Sequence, residues 1–169
     1  MSTHKGLLAV ALLSAPFIVN AATLTNAKNA EADVTFFAPN QFTHTLTATK
    51  NLTAGTFSQF TQIAAGAINT TGTVKANYAI QFPATAHIAT AGIQNVIVTG
   101  KNDPANTIPL NIIKDPSMTA GGFRVEQING SGWAVYDTAV DVLKYQVVVN
   151  GTVKADVYPV TVSAAVYTN

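Results

Sequence analysis

The sequence predicts an all-β sandwich, on two observations: β-branched and aromatic residues alternate with polar ones at period two, and Gly, Pro and Asn-Asp clusters interrupt that alternation at short intervals. The clearest alternation is Val74, Ala76, Tyr78, Ile80 and Phe82, with Lys75, Asn77 and Gln81 on the opposite face. A second is Phe42, His44, Leu46 and Ala48, interleaved with Thr43, Thr45, Thr47 and Thr49. Gln94 to Thr99, Thr107 to Ile113 and Gly122 to Ile128 read as shorter strands. Trp133 to Tyr136 follows an Asn129-Gly130 turn, and Ala139 to Val149 runs into Asn150-Gly151, the strongest local hairpin signal. Phe57, Phe60, Ile63, Ala64 and Ala67 stand at helical spacing. Gly55 and Gly66 bracket them closely, so the segment is an irregular strand or a short helical turn. About seven or eight such strands fit a sandwich of immunoglobulin-like topology or a barrel.

The N-terminus carries an export signal. Met1 to Lys5 are positively charged, Gly6 to Val19 form an almost unbroken apolar run, and Val19 and Ala21 stand at a signal peptidase's spacing. The apolar run is too short to span a bilayer comfortably. Cleavage after Ala21 leaves Ala22 to Asn169, one domain's worth of chain. Losing Lys5 brings the basic residues level with the eight acidic ones. A net charge near zero without a basic run argues against nucleic acid and against an anionic membrane surface as partners. Charged residues are only 10% of the chain, a composition that suits a protein ending up in an assembly. There is no cysteine, hence neither disulfide nor thiol chemistry.

Catalytic and metal motifs are absent from the sequence. His44 and His87 are isolated, and neither has a metal-ligand spacing. His44 alternates with Phe42 and Leu46, which marks a hydrogen-bonded histidine on a strand face. No serine sits in a G-x-S-x-G elbow. Asp103, Asp115, Asp137, Asp141 and Asp156 are scattered without acid–base spacing, and Gly121-Gly122 reads as a turn. The sequence therefore predicts no enzyme, no metal and no cofactor.

Function is carried by the two ends of the mature chain. In Ala22 to Phe36, one strand face from Ala30 onward is apolar and mostly small (Ala30, Ala32, Val34, Phe36) while the other is polar. Ala38-Pro39-Asn40 then interrupts the chain. Ala-sized residues at alternate positions suit a strand sliding into a narrow groove. Val157 to Tyr167 alternates again, with Val160, Val162, Ala164 and Val166 on one face and Tyr167 on the other. Pro159, which lacks a donor N–H, fits an edge or a bulge.

With these two ends the chain resembles chaperone–usher fimbrial major subunits, in particular the cysteine-free kind that forms thin fibres, typified by the F1 capsular antigen and the SEF14 fimbrin. The resemblance is specific at the two ends and textural in the middle. It implies an immunoglobulin-like sandwich that lacks its last strand and is completed by a neighbour's. The implied divisions are a signal peptide at 1–21, a donor extension at 22–37 and a pilin domain at 38–169. Leu24, Ala30, Ala32, Val34 and Phe36 match the donor's inward positions. Phe42, Leu46, Val160, Val162, Ala164, Val166 and Tyr167 would edge the acceptor groove. The implied partners are further copies of the chain, a periplasmic chaperone, an outer-membrane usher and, for an adhesive fibre, a host receptor, with export through the periplasm to the cell surface. Two features depart from the family pattern. Tyr167 is third from the end rather than next to last, and Asn26 and Lys28 are polar on the donor face. The latter confines deep insertion to Ala30 to Phe36, with Leu24 as an outer anchor. Trp133 and Tyr136 are candidates for a receptor patch, provided that they are exposed; burial between the sheets is the competing reading. The alternative function is a stand-alone secreted β-sandwich binding domain or adhesin, in which Ala22 to Phe36 is the domain's own first strand.

Overall fold

The computed structural model describes residues 28, 41–72, 74–83, 87–90 and 93–168. The chain divides into two units, Met1–Thr35 and Phe36–Asn169, and the strands described here all belong to the second. They are β1 (Phe42–Ala48), β2 (Gly55–Thr70), β3 (Asn77–Gln81), β4 (His87–Thr90), β5 (Ile93–Thr99), β6 (Thr107–Lys114), β7 (Phe123–Ile128), β8 (Ser131–Tyr136), β9 (Val142–Val153) and β10 (Ser163–Tyr167). No helix occurs among the described residues.

All the pairings are antiparallel and form two sheets. The larger runs in the order β1-β2-β9-β6-β5-β4 and the smaller in the order β10-β3-β8-β7. Packed face to face, they make an immunoglobulin-like sandwich. The predicted period-two faces hold in β1, where Phe42, His44 and Leu46 turn inward and Thr43, Thr45 and Thr47 face out. Ala76, Tyr78, Ile80 and Phe82 are buried as expected; Val74, which precedes β3, is exposed instead. The core is continuous from Ile108, Leu110 and Ile112 on β6, through Leu143, Tyr145, Val147 and Val149 on β9, to Ala134 and Tyr136 on β8.

Turn chemistry explains one connection and corrects one expectation. Asn129 and Gly130, at φ of 51° and 79°, make the tight turn joining β7 to β8, with Ile128 opposite Ser131. Asn150-Gly151 does not turn the chain. It lies inside β9, which continues to Val153 because β2 offers it a partner all the way to Gly55. Gly151 uses its positive φ of 88° opposite an irregularity in β2, where the pairing jumps from Phe57↔Gly151 to Thr61↔Val149. That bulge, with Phe60 at φ 61°, answers the helical spacing in the sequence: the segment is an irregular strand with two shifts of register.

A close approach lies where three strands of the large sheet meet. The Tyr145 ring crosses from β9 over Gly66 on β2 to reach β1, and a Cβ at position 66 would fall 2.0 Å from its Cζ. Gly66 is therefore required by the tyrosine, the pairing of a strand glycine with a cross-strand aromatic. We expect Gly66→Ala to lower stability in chemical denaturation by about 1–3 kcal/mol, as overpacking does. Combined with Tyr145→Leu, which clears the ring, its cost should fall well short of the sum of the single changes.

Candidate functional site: an apolar seam between two sheet edges

Each sheet ends, among the described residues, in a strand hydrogen-bonded on one side only, and two of these edges lie near one another. β1 pairs only with β2, and β10 pairs only with β3. The edge-on contact of Phe42 on β1 with Tyr78 on β3, with ring centroids 5.6 Å apart, brings β1 to the strand next to β10. Tyr78 is in turn paired with Val166. Between the edges runs a line of apolar side chains packed on the core but only half-buried: Phe42 and Leu46 from β1, Ile63 from β2, and Val160, Ala164 and Val166 from the C-terminal arm. Central core residues such as Tyr145 and Leu110 are wholly buried by contrast. The seam widens at one end into a cleft of about 640 Å³. Its floor is Ala64, Ile108 and Val149, and its walls are Leu46, Phe57, Ile63, Val153, Tyr158 and Val160.

The predicted groove residues fall on this seam with differences in detail. Phe42, Leu46, Val160, Ala164 and Val166 line it, while Val162 is more deeply buried, at 8% exposure. The regular strand covers only Ser163 to Tyr167; Val157 to Val162, expected as strand, approaches it without regular pairing. Pro159 lies in that irregular arm, where its missing N–H breaks no ladder. Tyr167 ends β10 but sends its ring to the outer face, where the Arg124 guanidinium lies 5.3 Å from its centroid. The predicted donor residues Leu24, Ala30, Ala32, Val34 and Phe36, like the signal peptide, lie outside the described residues.

Two polar arrangements shape the seam. His44 projects into it from β1, and its Nε2 lies 2.6 Å from the Tyr145 hydroxyl, as expected of a hydrogen-bonded strand histidine. Burial lowers the His44 pKa below its ordinary value and raises that of Tyr145. Sequence reading missed the second arrangement. The Asp156 carboxylate, at the cleft, accepts hydrogen bonds from the backbone N–H groups of Asn102, Asp103 and Val157 and from the side-chain amides of Asn102 and Asn106. These bonds, led by the Asn102 backbone, hold its carboxyl well below the usual carboxylate range. They moor the arm that carries Val157 and Val160 to the loop between β5 and β6, assisted by Lys101 N–H donating to the Val157 carbonyl. The run Asn102-Asp103-Pro104-Ala105-Asn106 is legible as a turn, but its anchor some fifty residues away (50 from Asn106) is not.

The candidate receptor pair needs a correction. Tyr136 is completely buried, its hydroxyl donating to the Ala120 carbonyl and its ring edge-on to Phe123, so it faces no receptor. Its place follows from strand alternation: Ala134 and Tyr136 point into the core, whereas Trp133 and Val135 point outward. Trp133 is half-buried on that outer face, not between the sheets. Among the described residues no group of His, Asp or Glu is placed to hold a metal ion.

The architecture defines the protein's class as an all-β, immunoglobulin-like sandwich with an exposed apolar seam. No family model matches the chain, and no curated protein matches it in sequence. Solved structures do match. The Salmonella SafD adhesin superposes with a TM-score of 0.60 at 20% identity, over 75% of this chain and 84% of its own. The minor tip subunit HdaB of the E. coli Hda pilus gives 0.59 at 18% identity, over 76% and 84%. AggB, the minor subunit of E. coli aggregative adherence fimbriae type I, gives 0.54 at 18%, over 72% and 83%. At these identities the likeness is one of fold, and the fold is that of fimbrial and pilus subunits.

Both polar arrangements respond to acid. Because the His44 pKa is lowered in the folded state, its stabilising contribution is complete above the ordinary value of 6.5 and is lost as pH falls through the lower folded value. Thermal unfolding followed from about pH 7.5 to about pH 5 should show this loss, and His44→Gln, which keeps a partner for Tyr145 but cannot titrate, should flatten it. The Asp156 contribution is complete above its ordinary 3.8 and is lost as pH falls through its depressed folded value. Asp156→Asn should therefore weaken the protein at neutral pH and make the further loss below pH 3.8 shallower than in the parent.

Proposed function

We propose that this chain is a structural subunit of a bacterial surface fimbria or capsule-like fibre, polymerising by insertion of its N-terminal segment into a neighbour's seam. The observation that carries the proposal is the pair of nearby strand edges, β1 and β10, separated by half-buried apolar side chains. An edge strand beside exposed apolar surface is an aggregation hazard that most folds cover. A strand supplied by another copy would cover it by β-augmentation, the mode by which pilins complete one another.

The proposal includes a register for that strand. Neighbouring strands here pair antiparallel, so the incoming segment runs antiparallel to β10 and ends at the cleft. Ala30, Ala32, Val34 and Phe36 then face the narrow seam in turn and reach Val166, Ala164, Val162 and Val160, with the bulkiest residue arriving where the space is greatest. Each larger apolar side chain so buried contributes about 1.5–3 kcal/mol, and main-chain hydrogen bonds along β10 hold the register. Segment into groove is a heterologous contact, and such contacts that do not close into a ring propagate as open fibres. A periplasmic chaperone would protect the seam before assembly at an outer-membrane usher, with export by the signal peptide at 1–21.

A second reading is a minor or tip subunit with an adhesive role, favoured by what the similar structures are: an adhesin, a minor tip subunit and a minor subunit. The two readings separate on the donor segment, which a major subunit requires and a tip subunit does not. Periplasmic extracts run unboiled on a denaturing gel should give a ladder of heat-labile multimers that disappears on deleting Ala22 to Phe36. A monomer of unchanged stability after that deletion would overturn both fibre polymerisation and the donor assignment. Because the chain has no cysteine, its register can be tested directly. Phe36→Cys in one copy and Val160→Cys in another should form an intermolecular disulfide, whereas Ala30→Cys with Val160→Cys should not, being separated by the length of β10.

A further inference from the structure

We propose that the two ends of the sandwich form a second, apolar contact between consecutive copies, in which Val74 and Val142 of one copy pack on Leu52 and Val157 of the next. This contact rests on the strand insertion proposed above and adds a surface outside the donor segment. The first end is built at an antiparallel bridge between Ala76 and Val140. Val74 precedes Ala76 by two residues and Val142 follows Val140 by two, so in antiparallel chains both lie to the same side of the bridge. They are 68% and 36% exposed. β1 begins at this end, where the Thr71 N–H donates to the Gln41 carbonyl and the Thr70 N–H to that of Asp141. The second end is the mouth of the cleft, lined by Leu52 and Val157, which are 45% and 54% exposed. β9 separates the two, running from Val142 at the first end to Val153 in the cleft wall.

Single exposed apolar side chains are ordinary on a protein surface. Here four of the six large ones among the described residues gather at the two ends, with Phe60 on β2 and Ile97 on β5 as the others. Chain length selects the occupant. In the proposed register Phe36 of the inserting copy reaches Val160 at the receiving copy's cleft, and its chain enters its own β1 from Gln41. The five residues from Phe37 to Gln41 span at most about 18 Å. The β1 end of the inserting copy is therefore held beside the cleft end of the receiving copy, and no free partner has such a tether. Four side chains are too few for a stable dimer of separate copies, whose interfaces bury roughly 800 Å² on each side. A short tether supplies an effective concentration in the mM range, at which so small a contact suffices. The contact then sets the angle between consecutive copies, which strand insertion alone leaves to the connecting residues.

Fibres of the full chain test the contact in two ways. Val74→Cys combined in one chain with Leu52→Cys or with Val157→Cys should, after oxidation, give multimers that survive boiling without reductant in at least one of the two pairings. The paired positions lie at opposite ends of a single copy, so such a disulfide joins two copies. Ile97→Cys with Val157→Cys, which pairs a flank with an end, should not form it. Val157→Asp should make the heat-labile multimers dissociate about tenfold faster, and adding Val74→Lys should restore much of the loss. Both side chains are exposed in a single copy, so thermal unfolding of the monomer should not change with either substitution. A parent chain that gives no heat-labile ladder would overturn strand insertion and this contact with it. With the ladder and the Phe36–Val160 disulfide intact, the end contact alone is overturned by failure of both end-to-end pairings to cross-link, by dissociation of Val157→Asp multimers at the parent's rate, or by no rescue from Val74→Lys.

Discussion

A two-sheet sandwich must seal its core along both lateral margins, and in this protein one margin rests on β1 and β10. Inside the sheets each strand satisfies its backbone on two sides and turns its apolar face toward the partner sheet. At this margin the neighbouring strands each pair on one side among the described residues, and the side chains between them remain half-buried. Apolar burial is the main favourable term in folding, so a margin of this kind leaves a stabilising contribution to be completed. In the proposed fibre, that contribution becomes the energy of polymerisation.

The rest of the structure holds the margin open and in shape. Tyr145 spans Gly66 to hold β1 through His44, while Asp156 moors the irregular arm that leads into β10. One contact fixes each side of the cleft. Both are polar: burial lowers the His44 pKa, and the hydrogen bonds led by the Asn102 backbone lower that of Asp156. The low charge of the chain accords with the proposed fibre, in which repeated contact between copies would benefit from little electrostatic repulsion.

Much of this architecture was legible from residue order. Alternation identified β1, β3, β6 and β7, and Asn129-Gly130 correctly placed the hairpin between β7 and β8. Asn150-Gly151 misled because the same positive-φ preference serves a bulge as well as a turn, and only long-range pairing with β2 decides between them. Of the site, the apolar positions of the seam were readable from period two. Trp133 and Tyr136 are near one another in sequence, but three positions along a strand put two side chains on opposite faces, so alternation rather than proximity decides their places.

The sequence by itself determined the local terms: strand periodicity, the glycines and prolines that punctuate it, the absence of thiol chemistry, and the apolar alternations at Ala30 to Phe36 and Val160 to Val166. These depend on a residue and its near neighbours. Tertiary structure alone decided that β1 and β10 approach one another, that the cleft widens beside Val160, and that Asp156 gathers donors from a loop some fifty residues away. Such contacts depend on how strands distant in sequence are ordered in their sheets, and that order is set by the packing of the whole core rather than by any one segment.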